Sequence, residues 1–282
     1  MNLHDPIRSR WRAAGRALLA AGLVVSLGGF AFLEALLAPK ADLWPRWQAH
    51  DAASGTHIDH GRWDAFLKAN VVAGADGVNR IRYGRVAAAD KQALKAYVKD
   101  LAAVAVDRLN RDEQRAYWIN LYNALTVDLV LGAYPVAGIR DIDGPWDRKL
   151  VRVMGEPVGL NDIEHRILRP IWKDPRLHYA VNCASLGCPD LQRQAFTAGN
   201  AEALLDFAAR AFVNHRRGAR LDGGKLTVSK IYSWFQGDFG GSEAKVIAHL
   251  RRYAGPDLQK ALAGRGSIDD YEYDWGLNDA GS

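Results

Sequence analysis

The sequence predicts an α+β fold. We expect a helix-rich single domain with a small, mostly antiparallel sheet and a papain/transglutaminase-like arrangement as the candidate architecture. Three observations point there. Apolar residues recur at steps of three and four in several segments, the mark of helices with one buried face. The strand-like pieces are short and turn at glycines, as at Gly155 and Gly223-Gly224. Strands and helices do not alternate regularly, which argues against a parallel α/β sheet.

Residues 42–58 read as a linker bearing Trp44 and Trp47. Asp59 can cap a helix running to Val71, with Trp63, Phe66 and Leu67 on one side. A Gly/Asp/Asn stretch over 74–79 precedes a strand-like piece, Arg80 to Val86. Asp90 opens a helix with Leu94, Tyr97, Val98, Leu101 and Val104 at helical spacing. Asn110 with Glu113 is a capping box for a helix from Arg111 to Ala133, closed by Gly132 and Pro135. Lys149 to Met154 reads as a strand. Asn161 with Glu164 is a second capping box, for a helix from Asp162 to Leu168 that Pro170 closes. Leu177 to Cys183 alternates like a strand, and 184–189 reads as a loop. A helix follows from Ala201 to Asn214, then the Gly223-Gly224 hairpin. Ser229 and Ser242 cap two more helices. Ile268 to Trp275 ends the chain as an aromatic strand, with Tyr271, Tyr273 and Trp275 on one face; core packing is the expected role of that face.

Charge separates the chain into two parts. The formal net charge is +5. Residues 1–41 hold five basic residues (Arg8, Arg10, Arg12, Arg16, Lys40) and two acidic ones (Asp5, Glu34), which leaves 32 against 30 in residues 42–282. No dense basic patch with interleaved aromatics is visible, so nucleic acid is not an expected partner. Four arginines precede an uncharged run from Ala17 to Leu33, the layout of a signal peptide or single membrane anchor. The run has 17 residues, and a membrane helix needs ~20, so length does not decide between cleavage and anchoring. Ala35, Ala38 and Ala41 offer cleavage positions. The arginines favour an N-terminus in the cytoplasm and a globular domain (42–282) outside it, periplasmic, secreted or anchored to the inner membrane.

Three groups of residues could carry chemistry. In the Arg111–Ala133 segment, Trp118, Leu121, Tyr122, Leu125 and Leu129 form a core face, while Glu113, Tyr117, Asn120, Asn123 and Ala124 fall on another stripe. Those polar side chains either fix packing through backbone bonds or line a pocket. His165 sits in the expected first turn of its helix, where the helix dipole would lower its pKa, so a neutral base is one reading and a packed histidine the other. The third group holds the only two cysteines, Cys183 and Cys188. They read as a disulfide, as a nucleophilic or redox-active Cys183, as part of a metal site, or as inert thiols. The spacing matches no standard zinc pattern, so no metal and no cofactor is expected. His178 is a poor base for Cys183, since five residues along a strand separate them by ~16 Å. His165 is the better partner.

Several runs resemble one family, the bacterial form of the domain of unknown function 547. They are 116–126 (Ala-Tyr-Trp-Ile-Asn-Leu-Tyr-Asn-Ala-Leu-Thr), 160–170, 178–189 (His-Tyr-Ala-Val-Asn-Cys-Ala-Ser-Leu-Gly-Cys-Pro) and 273–278. They appear in the family's order within a motif core of 110–278. The resemblance implies no established activity. Some similar proteins are joined to glutaredoxin-like domains, which implies thiol chemistry. Members resembling the plant branch keep the position of Cys183 and vary that of Cys188, which implies that Cys183 is the residue to test.

The resulting expectation is an exported envelope protein acting as a thiol-dependent hydrolase or transferase on an amide or thiol-containing small molecule or peptide. Cys183 would be the nucleophile and His165 the base, with Glu113 or Asn120 orienting the histidine. Asn123, Tyr117 and Asn182 would bind substrate. The competing expectation is a non-catalytic binding or structural domain with a Cys183–Cys188 disulfide. Either form would meet the membrane through its N-terminal segment if that segment is uncleaved.

Overall fold

The structure, a computed structural model, describes residues 38–281. The expected signal or anchor therefore lies outside the described residues as far as residue 37. Among the described residues no helix is long and apolar enough to cross a membrane.

A single long helix, Arg111–Ala133, organises the N-terminal two thirds of the domain. Its bounds follow from its ends. The Asn110 side chain accepts from the Glu113 N–H at 3.0 Å, satisfying a donor that the first turn leaves unpaired. The Glu113 carboxylate does not reach back to complete the box; it binds His57 and the Ile58 N–H instead. Every residue from Glu113 to Val127 is buried, so the polar stripe and the core face are both inside. The helix Ala88–Ala102 packs beside it, and Gly61–Asn70 packs against Ala88–Ala102.

Residues 42–48 are not a linker. Pro45–Gln48 forms a 3-10 turn, and Trp47 is buried with its ring 5.1 Å from that of Trp118. The segment is fixed by Pro170. That residue has no N–H, so in the helical run 160–172 the carbonyls of Arg166 and His165, four and five residues earlier, lose a donor. The Trp44 N–H takes the Arg166 carbonyl at 3.0 Å and the Asp42 N–H takes that of His165 at 2.9 Å. Pro170 consequently does not end the helix, which continues to Trp172. The stretch Asp162–Leu168 within this run has π-helical hydrogen bonding. Asn161 is not its cap; its side chain bonds Asp147, while Asp162 accepts from the Gly159 N–H.

Among the described residues there are three separate small sheets rather than one. Val71–Ala73 pairs with Asn79–Ile81, and Val151–Val153 with Glu156–Val158, both antiparallel. In the third, Lys225–Ser229 lies between antiparallel Ala219–Asp222 and parallel Asp270–Glu272. The Gly223-Gly224 turn has φ of +56° and +86°, values that side chains with a Cβ rarely adopt. Ser242 caps the Glu243–Tyr253 helix as expected, whereas Ser229 stands two residues ahead of a single turn, Ile231–Trp234, and bonds the Ile231 N–H.

Two hydrophobic clusters result. One gathers Trp63, Leu94, Trp118, Leu121, Ile163 and Phe196 around the long helix. The other gathers Phe212, Val228, Tyr232 and Leu250 between the Ala201–Val213 and Glu243–Tyr253 helices and the three-stranded sheet. The seam between them holds the site described next.

Candidate functional site

The segment 177–183 determines what reaches the seam. It is not a strand. Pro175–Tyr179 is a 3-10 turn with proline at its start and Asp174 accepting from the Arg176 N–H, and irregular chain follows. The apparent alternation of Leu177, Tyr179 and Val181 is met by burial in a turn. This brings His178 to the same cavity as Cys183, against the ~16 Å that a strand would impose.

Long-range side chains hold the following loop. Asn120 Nδ2 donates to the Phe196 carbonyl at 2.7 Å and its Oδ1 accepts from the Phe196 N–H at 3.0 Å. Asn123 does the same across Ala180 and Asn182, at 2.9 and 2.8 Å. Asn182 Nδ2 donates to the Pro189 carbonyl and its Oδ1 accepts from the Ala184 N–H. Ala184, at φ +60°, is kept in the left-handed region by that bond and by the Asn278 N–H on its carbonyl. Gly187 admits the chain end: a Cβ there would come within 2.7 Å of the Asp274 nitrogen. Tyr273 and Trp275 thereby line the cavity, while Tyr271 and Tyr273 also pack against the C-terminal hydrophobic cluster.

The cavity has a volume of about 320 Å³. Its floor is polar and buried: Glu164, His165 and His178. Its mouth is aromatic and half-exposed: Trp146, Trp234, Phe235, Tyr273 and Trp275. Trp234, Tyr273 and Trp275 form a cluster with ring centroids 4.6 to 5.5 Å apart. Arg140, exposed at the rim, lies over the Trp275 ring at 5.1 Å. Ala38 and Pro39 complete the lining.

Hydrogen bonding assigns the histidine protons. Arg169 Nη1 lies 2.8 Å from His165 Nδ1. A guanidinium only donates, so Nδ1 is the acceptor and the proton of the neutral ring is on Nε2. Burial pushes the His165 pKa down to about 4; Glu164 opposes this, while Arg169 and His178 add to it. The expected neutral state holds, but its main cause is burial, and the lone pair on Nδ1 is already occupied. His178 Nε2 is 2.7 Å from Asp238 Oδ2, which Arg169 Nε also contacts at 2.6 Å. Burial pushes the Asp238 carboxyl up, yet the bonds from His178 and Arg169 outweigh it and hold it well below the usual carboxylate range. The His178 ring, stacked on Phe235 at 4.4 Å, thus donates from Nε2, and its Nδ1 stands 3.8 Å from Glu164. Glu164 accepts from the Tyr122 hydroxyl.

Cys183 is bonded to Cys188 in a disulfide on the cavity wall. Around the pair, the Cys183 N–H donates to Cys188 Sγ at 2.9 Å, and the Tyr273 hydroxyl stands 2.9 and 3.2 Å from the two sulfurs. Burial raises the Tyr273 pKa, so this phenol stays protonated. Ser185 Oγ is 3.6 Å from Cys183 Sγ, and no histidine among the described residues hydrogen-bonds that sulfur.

Of the residues expected from sequence, Cys183 and His165 share the cavity. Glu113 and Asn120 do not orient His165; Glu113 holds His57 and Asn120 holds Phe196. Tyr117 donates to the Leu101 carbonyl inside the core, and Asn123 and Asn182 organise the loop from behind the wall. Asp238, Phe235, Trp146 and Trp234 were not expected, since their sequence neighbourhoods carry no local signal, and Arg169 lies inside the resembling run 160–170 without a role assigned to it. Glu164 and His178 lie inside the resembling runs but were assigned to a cap and to a strand face. Among the described residues, no group of three or more His, Cys, Asp or Glu side chains is placed to hold a metal ion.

Residues 106–213 match the family model described as protein of unknown function, DUF547. The match contains the long helix, the π-helical run and the disulfide loop, and ends before the terminal run 273–278. No curated protein and no solved structure matches the chain.

Proposed function

We propose that this protein is an exported binding protein that takes a small molecule or the end of a peptide or lipid into the seam cavity, with the Cys183–Cys188 disulfide as a fixed part of the wall. One observation carries the reading. Glu164, His165 and His178 are buried, converge on one aromatic-mouthed cavity, and leave the Glu164 carboxylate with a tyrosine hydroxyl and two imidazoles no closer than 3.8 Å. Buried polar groups that lack full internal pairing, beneath an apolar mouth, are the make-up of a ligand site.

Binding is the test. The mouth holds three tryptophans, so tryptophan emission of the full chain in non-ionic detergent reports occupancy. Titration with a panel of amines, amides, short peptides and phospholipids should give at least one saturable change. Trp234→Ala should weaken it tenfold or more. No change with any member of the panel would remove the reading.

A second reading is favoured by the Asp238–His178 pair, in which a carboxylate fixes an imidazole with one free nitrogen, as in acid–base dyads. Here a dithiol reductant opens the disulfide, His178 takes the Cys183 proton, and the thiolate attacks an amide carbonyl whose amine leaves with that proton. This is the thiol-dependent hydrolase or transferase expected from sequence, with His178 in place of His165. It requires that Cys183 of protein isolated from cells alkylate without prior reduction. If both cysteines label only after reduction, the disulfide is the resident state and the binding reading leads.

A further inference from the structure

The cavity and the N-terminal run are close along the chain. Ala38 and Pro39 line the cavity, and Arg169 Nη1 donates to the Pro39 carbonyl at 2.7 Å. Only Glu34, Ala35, Leu36 and Leu37 stand between Ala38 and Leu33, the last residue of the uncharged run. Five extended residues span at most about 18 Å. If the run 17–33 enters a bilayer, Ala38 in the cavity lining lies within that distance of the hydrocarbon edge. The headgroup layer fills roughly the first 6 Å of it.

Polarity within the cavity runs in the matching direction. The buried floor carries the Glu164 carboxylate, and the Arg169 guanidinium, which reaches His165, is engaged by Asp238. His165 is neutral, and the ring nitrogens nearest the Glu164 carboxylate, those of His165 and His178, stand 3.9 and 3.8 Å away, outside hydrogen-bond distance. At the rim the exposed Arg140 offers a guanidinium. Between rim and solvent stand the tryptophans, a residue type suited to the membrane interface. A ligand that fits has an ammonium at its tip, an anion behind it, and apolar chain behind that.

We infer that the occupant is an aminophospholipid drawn from the membrane that holds the chain. Its ammonium rests on Glu164, its phosphate faces Arg140, and its glycerol and first acyl carbons lie against Trp146, Trp234 and Trp275. This rests on the binding reading above and on the 17–33 run entering a bilayer. A cavity of about 320 Å³ admits the head group and leaves the acyl chains in the lipid layer.

The experiment uses the full chain in non-ionic micelles doped with phosphatidylethanolamine, with phosphatidylglycerol, or with neither, alongside free O-phosphoethanolamine. Tryptophan emission should change saturably with phosphatidylethanolamine alone. Glu164→Gln should weaken that binding at least tenfold. Arg140→Ala, at an exposed site, should weaken it severalfold. Free O-phosphoethanolamine should bind at least a hundredfold more weakly than the lipid. Equal response to phosphatidylglycerol overturns the ammonium assignment. Free O-phosphoethanolamine binding as tightly as the lipid overturns the membrane source and leaves the cavity as a site for a soluble ligand. A response to neutral amides or peptides but to no amine also overturns the inference while the binding reading stands. Silence with every compound removes both.

Discussion

Asp238 touches both His178 and Arg169 through one oxygen, at 2.7 and 2.6 Å, and so fixes two side chains beside the cavity at once. Arg169 is buried and spreads its remaining donors over the Pro39 carbonyl and His165 Nδ1. Removing the carboxylate leaves a buried guanidinium with no counter-charge. Breaking such a pair from one side costs about 3 kcal/mol. Asp238→Ala should therefore lower the urea midpoint by an amount equivalent to about 3 kcal/mol with an unchanged m-value. Asp238→Asn, which keeps an acceptor, should lose only about 1 kcal/mol. The same pair of variants separates structure from chemistry. If the second reading of the site holds, Asp238→Asn abolishes turnover while most of the stability remains, because the imidazole loses the carboxylate that fixes its tautomer.

Asn120 and Asn123 show how one helix positions an irregular loop. Each offers an amide as a backbone mimic, donating to one loop carbonyl and accepting from one loop N–H. Asn120→Ala strands both polar groups of Phe196 in the core, at about 1–3 kcal/mol for each unsatisfied group. A loss of about 3 kcal/mol in chemical denaturation is expected, together with faster amide exchange at Phe196. A loss below 1 kcal/mol would mean that the loop is held by packing alone. The helix itself was legible in the sequence because its start signal is local: Asn110 precedes the apolar periodicity by one residue. The two hairpin turns were legible for the same reason. What the sequence hid is non-local. Pro170 reads as a stop, yet the N–H groups of Asp42 and Trp44, more than a hundred residues earlier, supply the partners that let the helix continue. The stretch 177–183 alternates like a strand although no neighbouring strand exists to pair with it, and His178 was set aside on that basis. Trp234 ends a single helical turn and Asp238 follows it, with no pattern of their own, so only the folded chain reveals their place.

Across the whole molecule, buried histidines tie stability to pH. His60 bonds the Tyr97 hydroxyl beneath the first helix, His165 sits at the cavity floor, and His249 bonds the Tyr179 hydroxyl in the C-terminal cluster. Burial lowers the pKa of each to about 4 from an ordinary 6.5. Between those values the unfolded chain binds more protons than the folded one, so stability falls as pH drops from about 6.5 toward 4. Each group contributes a slope of up to about 1.4 kcal/mol per pH unit, so three together approach about 4 kcal/mol per unit. The carboxylates held below their ordinary range, Asp238 among them, lose their contribution only at lower pH and steepen the same fall there. Urea midpoints measured from pH 7.5 to 4.5 should be flat at first and then decline from near 6.5. His249→Gln, which can still accept from the Tyr179 hydroxyl, should remove about a third of the slope without shifting its onset. The three sites lie in both hydrophobic clusters and in the seam between them. A single cooperative transition with the full slope would therefore show that the clusters unfold as one unit. Two transitions, with His249 governing only one, would show that the seam and its cavity can open while the long-helix cluster stays folded.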